Sequence, residues 1–154
     1  MPIYALGDQV PDIHPEAYVH PDAVVIGSVT IGPESSVWPG AVLRGDDGEI
    51  HVGARTSIQD NAVLHTTIEQ PTVVGDDCVI GHVVHLEGCT IESGCLVGNG
   101  SIVLHRVVVH TGAIAVGIPA VIKEGRARPE LISDGVGNYV RRTHRYRAEL
   151  RRIS

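Results

Sequence analysis

The chain has 154 residues and a net charge of −6, which is enough length for one domain with a buried core. Valine (23 residues) and isoleucine (15) far outnumber leucine (8), and phenylalanine is absent, so β-branched strands are favoured over a leucine-rich helical bundle. Hydrophobic residues make up 43% of the chain and charged residues 19%, which excludes disorder, and no apolar run approaches the roughly 20 residues of a membrane span.

The charge is unevenly distributed along the chain. Residues 1–122 carry 14 acidic residues and three arginines, whereas residues 123–154 carry nine basic and four acidic residues. The acidic body would repel phosphates, so we expect no nucleic-acid or membrane partner, and we predict that the basic tail lies on the body or on a neighbouring subunit. Three cysteines and no visible secretory signal predict a cytoplasmic protein without a disulfide framework.

Aliphatic residues recur at every sixth position through most of the chain. The series is Ile13, Val19, Val25, Ile31, Val37, Leu43, Val52, Ile58, Leu64, Val74, Ile80, Leu86, Ile91, Val97, Val103 and Val109. A period of six matches neither a helix nor a simple strand, but it suits short strands separated by corners. The pattern resembles the hexapeptide repeat of left-handed parallel β-helices, in which three sixes form one triangular coil. We therefore predict that all-β fold, with the aliphatic side chains pointing inward.

Two interruptions and a change of period divide the chain. The series skips residues between Leu43 and Val52 and between Leu64 and Val74, so short loops are predicted at 45–49 and 66–71. After residue 122 the apolar residues recur every three or four positions, which predicts an amphipathic helix packed along one side of the coil. The apolar positions are Ile132, Val136, Tyr139, Val140, Thr143, Tyr146, Leu150 and Ile153. We predict a β-helix over 1–122 and a C-terminal segment with this helix over 123–154.

The repeat places polar side chains in columns, because equivalent positions of successive coils stack. The residue after the third aliphatic position is Arg44, then His65, then Glu87, so these three share one face. His65 and Glu87 are then one coil apart and within reach of a shared metal ion. His82 belongs to a different face, so it would reach such a site only from an adjoining chain. This arrangement predicts an oligomer with metal at the subunit interfaces, most simply a threefold ring.

Several motifs together resemble the γ-class carbonic anhydrases and their relatives. They are Val37-Trp38-Pro39-Gly40-Ala41-Val42-Leu43-Arg44-Gly45-Asp46, Ile58-Gln59-Asp60-Asn61, Val63-Leu64-His65 and Ile80-Gly81-His82, within about residues 10–120. The resemblance implies a homotrimer that holds zinc, or iron or cobalt, through three histidines from two subunits. His65 and His82 match two of these ligands.

The same resemblance implies roles for four further residues. Arg44 and Asp46 would form an ion pair between subunits, and Gln59 and Asp60 would orient the metal-bound water and the substrate. The third histidine of the family is replaced by Glu87. Three alternatives follow: Glu87 completes a His₂Glu site, His85 takes its place, or the site holds little metal.

These observations predict reversible hydration of CO₂ to bicarbonate by a metal-bound hydroxide. The activity is expected to be weak, because Glu87 adds negative charge and makes the metal a weaker Lewis acid. Two alternatives stay open. One is a hexapeptide acyltransferase or thioesterase acting on coenzyme A thioesters, and the other is a non-catalytic trimeric scaffold or metal carrier.

The remaining histidines, cysteines and the tryptophan are predicted to be structural. His14, His20, His51, His110 and His144 are interpreted as solvated surface residues, whereas the sequence assigns no role to His105. Cys78 and Cys95 occupy small inward positions. Trp38 is predicted to pack against the C-terminal helix or a neighbour rather than to bind substrate.

Overall fold

The computed structural model describes residues 2–154 and has seventeen short strands followed by one helix. The strands are β1 (Ile3–Tyr4), β2 (Asp12–Ile13), β3 (Tyr18–Val19), β4 (Val24–Ile31), β5 (Ser36–Val37), β6 (Val42–Val52), β7 (Ser57–Ile58), β8 (Val63–His65), β9 (Thr72–Val74), β10 (Val79–Ile80), β11 (His85–Glu87), β12 (Thr90–Ile91), β13 (Leu96–Val97), β14 (Ile102–Val103), β15 (Val108–Val109), β16 (Ile114–Val116) and β17 (Val121–Lys123). The helix is α1 (Pro129–Glu149).

The strands form the three faces of a parallel β-helix. We call the face built on β8, β11 and β14 the His65 face; the first halves of β4 and β6, with β1, complete it. We call the face of β3, β5, β7, β10, β13, β16 and β17 the helix face. The third face holds β2, β9, β12 and β15 with the second halves of β4 and β6. Every pairing between these strands is parallel except that of β16 with β17, which turns back and closes one end of the helix face.

The interior of the coil contains the predicted aliphatic series. All of its members are buried except Ile13, which is partly exposed near the N-terminal end. The register is the predicted one: Leu43 lies opposite Leu64 across β6 and β8, and Leu64 lies opposite Leu86 across β8 and β11. A register shifted by one residue would turn the whole aliphatic series toward solvent. The burial of this series therefore specifies the register between coils. The predicted parallel β-helix with a C-terminal helix is confirmed.

The two interruptions of the repeat behave differently. Residues 66–71 leave the coil as predicted, in a small loop in which Thr67 and Gln70 form an isolated antiparallel bridge. The loop predicted at 45–49 is wrong, because these residues continue as part of β6. Gly45 still pairs with Gly27 and Ile50 pairs with Val29, so the additional residues form an irregularity in the register rather than a separate loop.

Helix α1 packs on the helix face, as predicted. Ile132 and Val136 are buried against the outer side of the coil, where they contact Val79, Leu96 and Ile114. The last two residues predicted on its apolar side, Leu150 and Ile153, lie beyond the end of the helix and are exposed, so that part of the prediction is wrong. No helix within the described range 2–154 combines the length and the apolar character needed to cross a membrane.

An aromatic cluster joins α1 to the first coils. The Trp38 ring lies 5.4 Å from the Tyr139 ring and 5.0 Å from the Tyr146 ring, measured between centroids, which confirms that Trp38 packs against the helix. The surface interpretation of His20 is wrong: this side chain is buried in the same cluster, 6.3 Å from Tyr146. Its Nδ1 accepts a hydrogen bond from the Asp22 backbone N–H at 3.0 Å.

Candidate metal centre

The strand register stacks Arg44, His65 and Glu87 on the His65 face. Arg44 pairs with His65 between β6 and β8, and His65 pairs with Glu87 between β8 and β11. Their neighbours Leu43, Leu64 and Leu86 point inward, and side chains alternate along a strand, so all three polar side chains point outward together. The structure therefore brings together the three residues that the sequence placed in one column.

His65 lies between two carboxylates. Its Nε2 is 3.2 Å from Asp46 Oδ1, and its Nδ1 is 3.4 Å from Glu87 Oε1. Only 18% of the His65 side chain is exposed, so the carboxylates on either side define its orientation. The contact with Asp46 was not predicted, because Asp46 lies in the irregular part of β6, whose path the six-residue repeat does not define.

Asp46 also contacts the Arg44 guanidinium within the same chain. Partial burial acts to raise the pKa of Asp46, but hydrogen bonds from Arg44 and His65 outweigh it and hold this pKa below its usual value. Asp46 is therefore a carboxylate at neutral pH and can orient the His65 ring. The inter-subunit role predicted for the Arg44–Asp46 pair stays a prediction.

Glu87 contacts three imidazoles. His85 Nε2 lies 2.9 Å from Glu87 Oε2, while His65 Nδ1 and His105 Nε2 lie 3.4 Å and 3.5 Å from Oε1. The pKa of Glu87 is lowered, chiefly by the hydrogen bond from His85 and further by His65, against a smaller effect of burial. Sequence analysis assigned no role to His105. The signal that could have identified His105 is the register of the next coil. Val103 pairs with Leu86, and His105 follows Val103 by two residues, so it lies close to Glu87.

Gln59 directly follows β7 of the helix face, and Asp60 and His82 lie in the turns that lead from β7 and β10 to the His65 face. Gln59 and Gly81 stack through the hydrogen bond from the Gln59 N–H to the Ile80 carbonyl. His82 Nδ1 is 2.9 Å from Asp60 Oδ2, and each side chain is about two-fifths exposed, at 43% and 41%. Gln59 is buried. The predicted site residues thus form two groups in one chain. One group is on the His65 face and the other is at the end of the helix-face strands, as the columns predicted for His65 and His82.

The atoms around His65 fit a divalent metal. Two ligands of one tetrahedral zinc lie about 3.3–3.6 Å apart when the metal–ligand bonds are about 2.0–2.2 Å. The 3.4 Å separation of His65 Nδ1 and Glu87 Oε1 falls in this range. On the other side of the ring, Asp46 and the exposed Asp47 bring carboxylate oxygens within 4.8 Å of His65 and of each other. Imidazole and carboxylate are ligands that zinc accepts.

A cleft of about 670 Å³ opens beside His65. Asp47, the loop residues 66–70, His105 and Arg106 line it together with His65. Eight of these nine lining residues have polar or charged side chains, Ile68 being the exception, so the cleft offers hydrogen-bonding and charged groups to a small substrate. Sequence analysis identified the loop but not Arg106, whose contribution depends on the stacking of the next coil.

The three cysteines lie outside this centre. Cys78, Cys89 and Cys95 are buried and free, and burial raises the pKa of Cys78 and of Cys89 to about 12. A thiol with so high a pKa is a poor nucleophile and a poor metal ligand at neutral pH. The packing role predicted for Cys78 and Cys95 is confirmed, and Cys89 shares it.

Comparison with known proteins agrees with the repeat. Residues 11–45 match the family model described as bacterial transferase hexapeptide (six repeats). A solved structure of a hexapeptide transferase family protein from Anaplasma phagocytophilum is 30% identical with a TM-score of 0.78, and the match covers 94% of this chain and 96% of that one. The chain belongs to the hexapeptide-repeat family.

Two curated relatives are more similar in sequence than this solved structure. Gamma carbonic anhydrase 1, mitochondrial, from Arabidopsis thaliana is 44% identical over 117 residues, which cover 71% of this chain and 42% of that protein. Carnitine operon protein CaiE from Escherichia coli strain K12 is 40% identical over 109 residues, which cover 71% of this chain and 56% of that protein. The chain thus spans about half the length of these relatives. The resemblance to γ carbonic anhydrases seen in the motifs is confirmed.

Proposed function

We propose that this protein is a metal-binding homotrimer that hydrates CO₂ reversibly and weakly. The observation that supports this most is the pairing of His65 with Glu87 on the outside of the coil, at the separation of two ligands on one metal. The 44% identity to a γ carbonic anhydrase supports the same reaction class. The metal would be divalent, with zinc as first candidate and iron or cobalt as others.

The proposed ligand set draws on two chains. His65 and Glu87 of one chain supply two ligands, and His82 of an adjoining chain supplies the third, because His82 lies in the turn after β10 and not on the His65 face of its own coil. The His82 ring is 43% exposed and is held by Asp60, so it can meet a neighbour without rearrangement of the backbone. A threefold ring gives every subunit one such interface on each side and closes without free ends.

The protein's own residues would then orient water and substrate. Gln59 is buried beside the strand that leads to His82, so its amide can hold a hydrogen-bonding group in a fixed direction. Asp60 fixes the His82 ring through Nδ1, and Asp46 with Arg44 fixes His65. When bound, a divalent metal supplies Lewis acidity that makes water nucleophilic near neutral pH.

Weak activity follows from the charge of Glu87. The pKa of Glu87 is lowered, so the group is ionised at neutral pH, and its negative charge reduces the Lewis acidity of a metal at this position. A neutral third histidine would not have this effect. We therefore expect Glu87→His to raise the rate of CO₂ hydration by roughly tenfold or more relative to the natural sequence.

The test combines metal analysis with stopped-flow CO₂ hydration. The natural protein and Glu87→His, loaded with zinc or anaerobically with iron, are compared with His65→Ala and His82→Ala; His144→Ala, an exposed histidine on α1, is the control. We expect metal in the natural protein and the control, and its loss in both alanine variants. Retained metal in both alanine variants would refute the ligand set, and strong hydration by the natural protein would refute the weak-activity proposal.

A second candidate is acyl transfer from, or hydrolysis of, coenzyme A thioesters. It is favoured by the hexapeptide transferase family structure and by the cleft beside the 66–70 loop, where Arg106 offers a cation to a phosphate. Retention of the protein on immobilised coenzyme A, lost in Arg106→Ala, would support this candidate. Stoichiometric metal without turnover in either assay would support a metal carrier instead.

A further inference from the structure

The two oxygens of Glu87 have different surroundings. Oε2 makes a short contact of 2.9 Å with His85 Nε2, whereas Oε1 lies 3.4 Å from His65 and 3.5 Å from His105. The first distance is that of a hydrogen bond, and the other two are longer than a well-formed one. Oε2 is therefore fixed within the chain, whereas Oε1 lies between the His65 and His105 rings without a short contact.

The pairing of His85 with Glu87 follows from the strand. Both lie on β11 on either side of Leu86, which is fully buried. Residues two apart on a strand point to the same face, so the two side chains are neighbours on the outside of the coil. β11 is held on both edges, by β8 and β14, which fixes the backbone beneath the pair.

The ionisation of Glu87 decides which group donates the hydrogen bond between His85 and Glu87. An ionised carboxylate only accepts hydrogen bonds, so His85 donates its Nε2–H to Glu87 Oε2. A ring nitrogen that carries this proton has no lone pair for a metal. This nitrogen of His85 is therefore not available as a ligand, which favours Glu87 over His85 as the residue that replaces the third histidine.

We propose that His85 is a positioning residue that holds Glu87 Oε2 and so presents Oε1 to the metal shared with His65. The inference rests on the proposed metal site. A glutamate is longer and has more rotatable bonds than the histidine it replaces, so it needs a fixed partner to act as a ligand. Hydrogen-bond partners of ligating carboxylates typically contribute about ten- to a hundredfold to metal affinity.

The chain offers a matched control for this pair. On β6, His51 Nε2 lies 3.0 Å from Glu49 Oε2, with the same two-residue spacing. This pair is on the third face and neither residue belongs to the proposed ligand set. Loss of the His51 contact should therefore leave metal affinity unchanged.

The experiment measures the zinc affinity of the full-length protein by competition with a chromophoric chelator, and coordination by the visible absorption of the cobalt form. His85→Leu removes the donor, His85→Gln retains an N–H donor, and His51→Leu is the control. We expect His85→Leu to lower affinity by about ten- to a hundredfold and to weaken the four-coordinate cobalt bands. His85→Gln should recover most of the affinity, and thermal unfolding should show that all variants are folded.

Two results would overturn the positioning role. The first is an affinity of His85→Leu equal to that of the natural protein. The second is complete loss of metal in both His85 variants, equal to the loss in a Glu87→Ala protein measured alongside them, which would make His85 a ligand. If the natural protein itself binds neither zinc nor cobalt, the proposed function fails as well, so the two failures are distinguishable.

Discussion

A left-handed backbone conformation recurs three residues after the inward aliphatic positions, where the coil turns its corners. In the column that starts on the helix face, these positions are Gly40, Asn61, Val83 and Gly100, all with φ between 57° and 72°. Glycine and asparagine adopt this conformation at little cost, but a β-branched residue does not. Val83 therefore stores strain beside His82, and the residue is 61% exposed, so little burial within its own chain offsets this strain.

Replacing Val83 should stabilise the isolated fold. We expect Val83→Asn to raise the free energy of unfolding by about 1 kcal/mol, because asparagine tolerates the left-handed conformation. Val121→Asn is the control, since Val121 is 62% exposed but lies in strand β17. Chemical denaturation of both variants at one protein concentration provides the measurement. A Val83→Asn protein no more stable than the natural one would contradict the strain.

The sequence alone predicted which residues face the interior of the coil. It predicted fewer of the side-chain contacts between residues that are far apart in the chain. The aliphatic positions follow from periodicity, which is local information, and the stacking of Arg44, His65 and Glu87 follows from the same period. The burial of His20 could not be predicted, because the side chain that packs against it, Tyr146, lies far along the chain on α1. The contact of Asp46 with His65 depends on how β6 absorbs its additional residues, and the repeat carries no signal for that.

Helix α1 is attached to the outer side of the coil rather than built into its core. Its buried residues Ile132 and Val136 form a small apolar cluster with Ala127 and with the outward side chains Val79, Leu96 and Ile114, separate from the interior of the coil. The amphipathic period predicted this face of the helix. It did not predict the end of the helix at Glu149, because Leu150 and Ile153 continue the spacing without a surface to cover them.

Because the two apolar clusters are separate, α1 should detach without unfolding the coil. Ile132→Ala is expected to weaken helix docking by about 2 kcal/mol, the lower end for a buried isoleucine, since 7% of the side chain is exposed. Leu131→Ala, at an adjacent position that is 61% exposed, is the control. The fluorescence of Trp38, the only tryptophan, reports docking through Tyr139 and Tyr146. A single transition in which Trp38 fluorescence and β circular dichroism change together in Ile132→Ala would contradict a separate docking step.

At the scale of the whole molecule, the proposed site is divided into two half-sites in different parts of the coil. His65 and Glu87 form one half-site on the His65 face, and His82 with Asp60 and Gln59 forms the other, after the helix-face strands β10 and β7. The parallel register between coils fixes the backbone of both half-sites, so a rigid coil cannot move them toward each other within one chain. Assembly is therefore the step that completes the proposed site. The columns of the six-residue repeat predicted this division of ligands, whereas the contact of His85 with Glu87 could be found only from the side-chain geometry.

Mixing two inactive variants tests this division most directly. His65→Ala chains retain His82, and His82→Ala chains retain His65 and Glu87. Where one chain of each kind meets in the right order in a mixed trimer, that interface carries all three proposed ligands. After joint unfolding and refolding at equal amounts, random assembly should restore metal to about one quarter of the sites, measured by elemental analysis of the purified oligomer. Each variant refolded alone should hold none. Absence of metal in the mixture, with metal bound by the natural protein treated in the same way, would contradict a centre shared between chains.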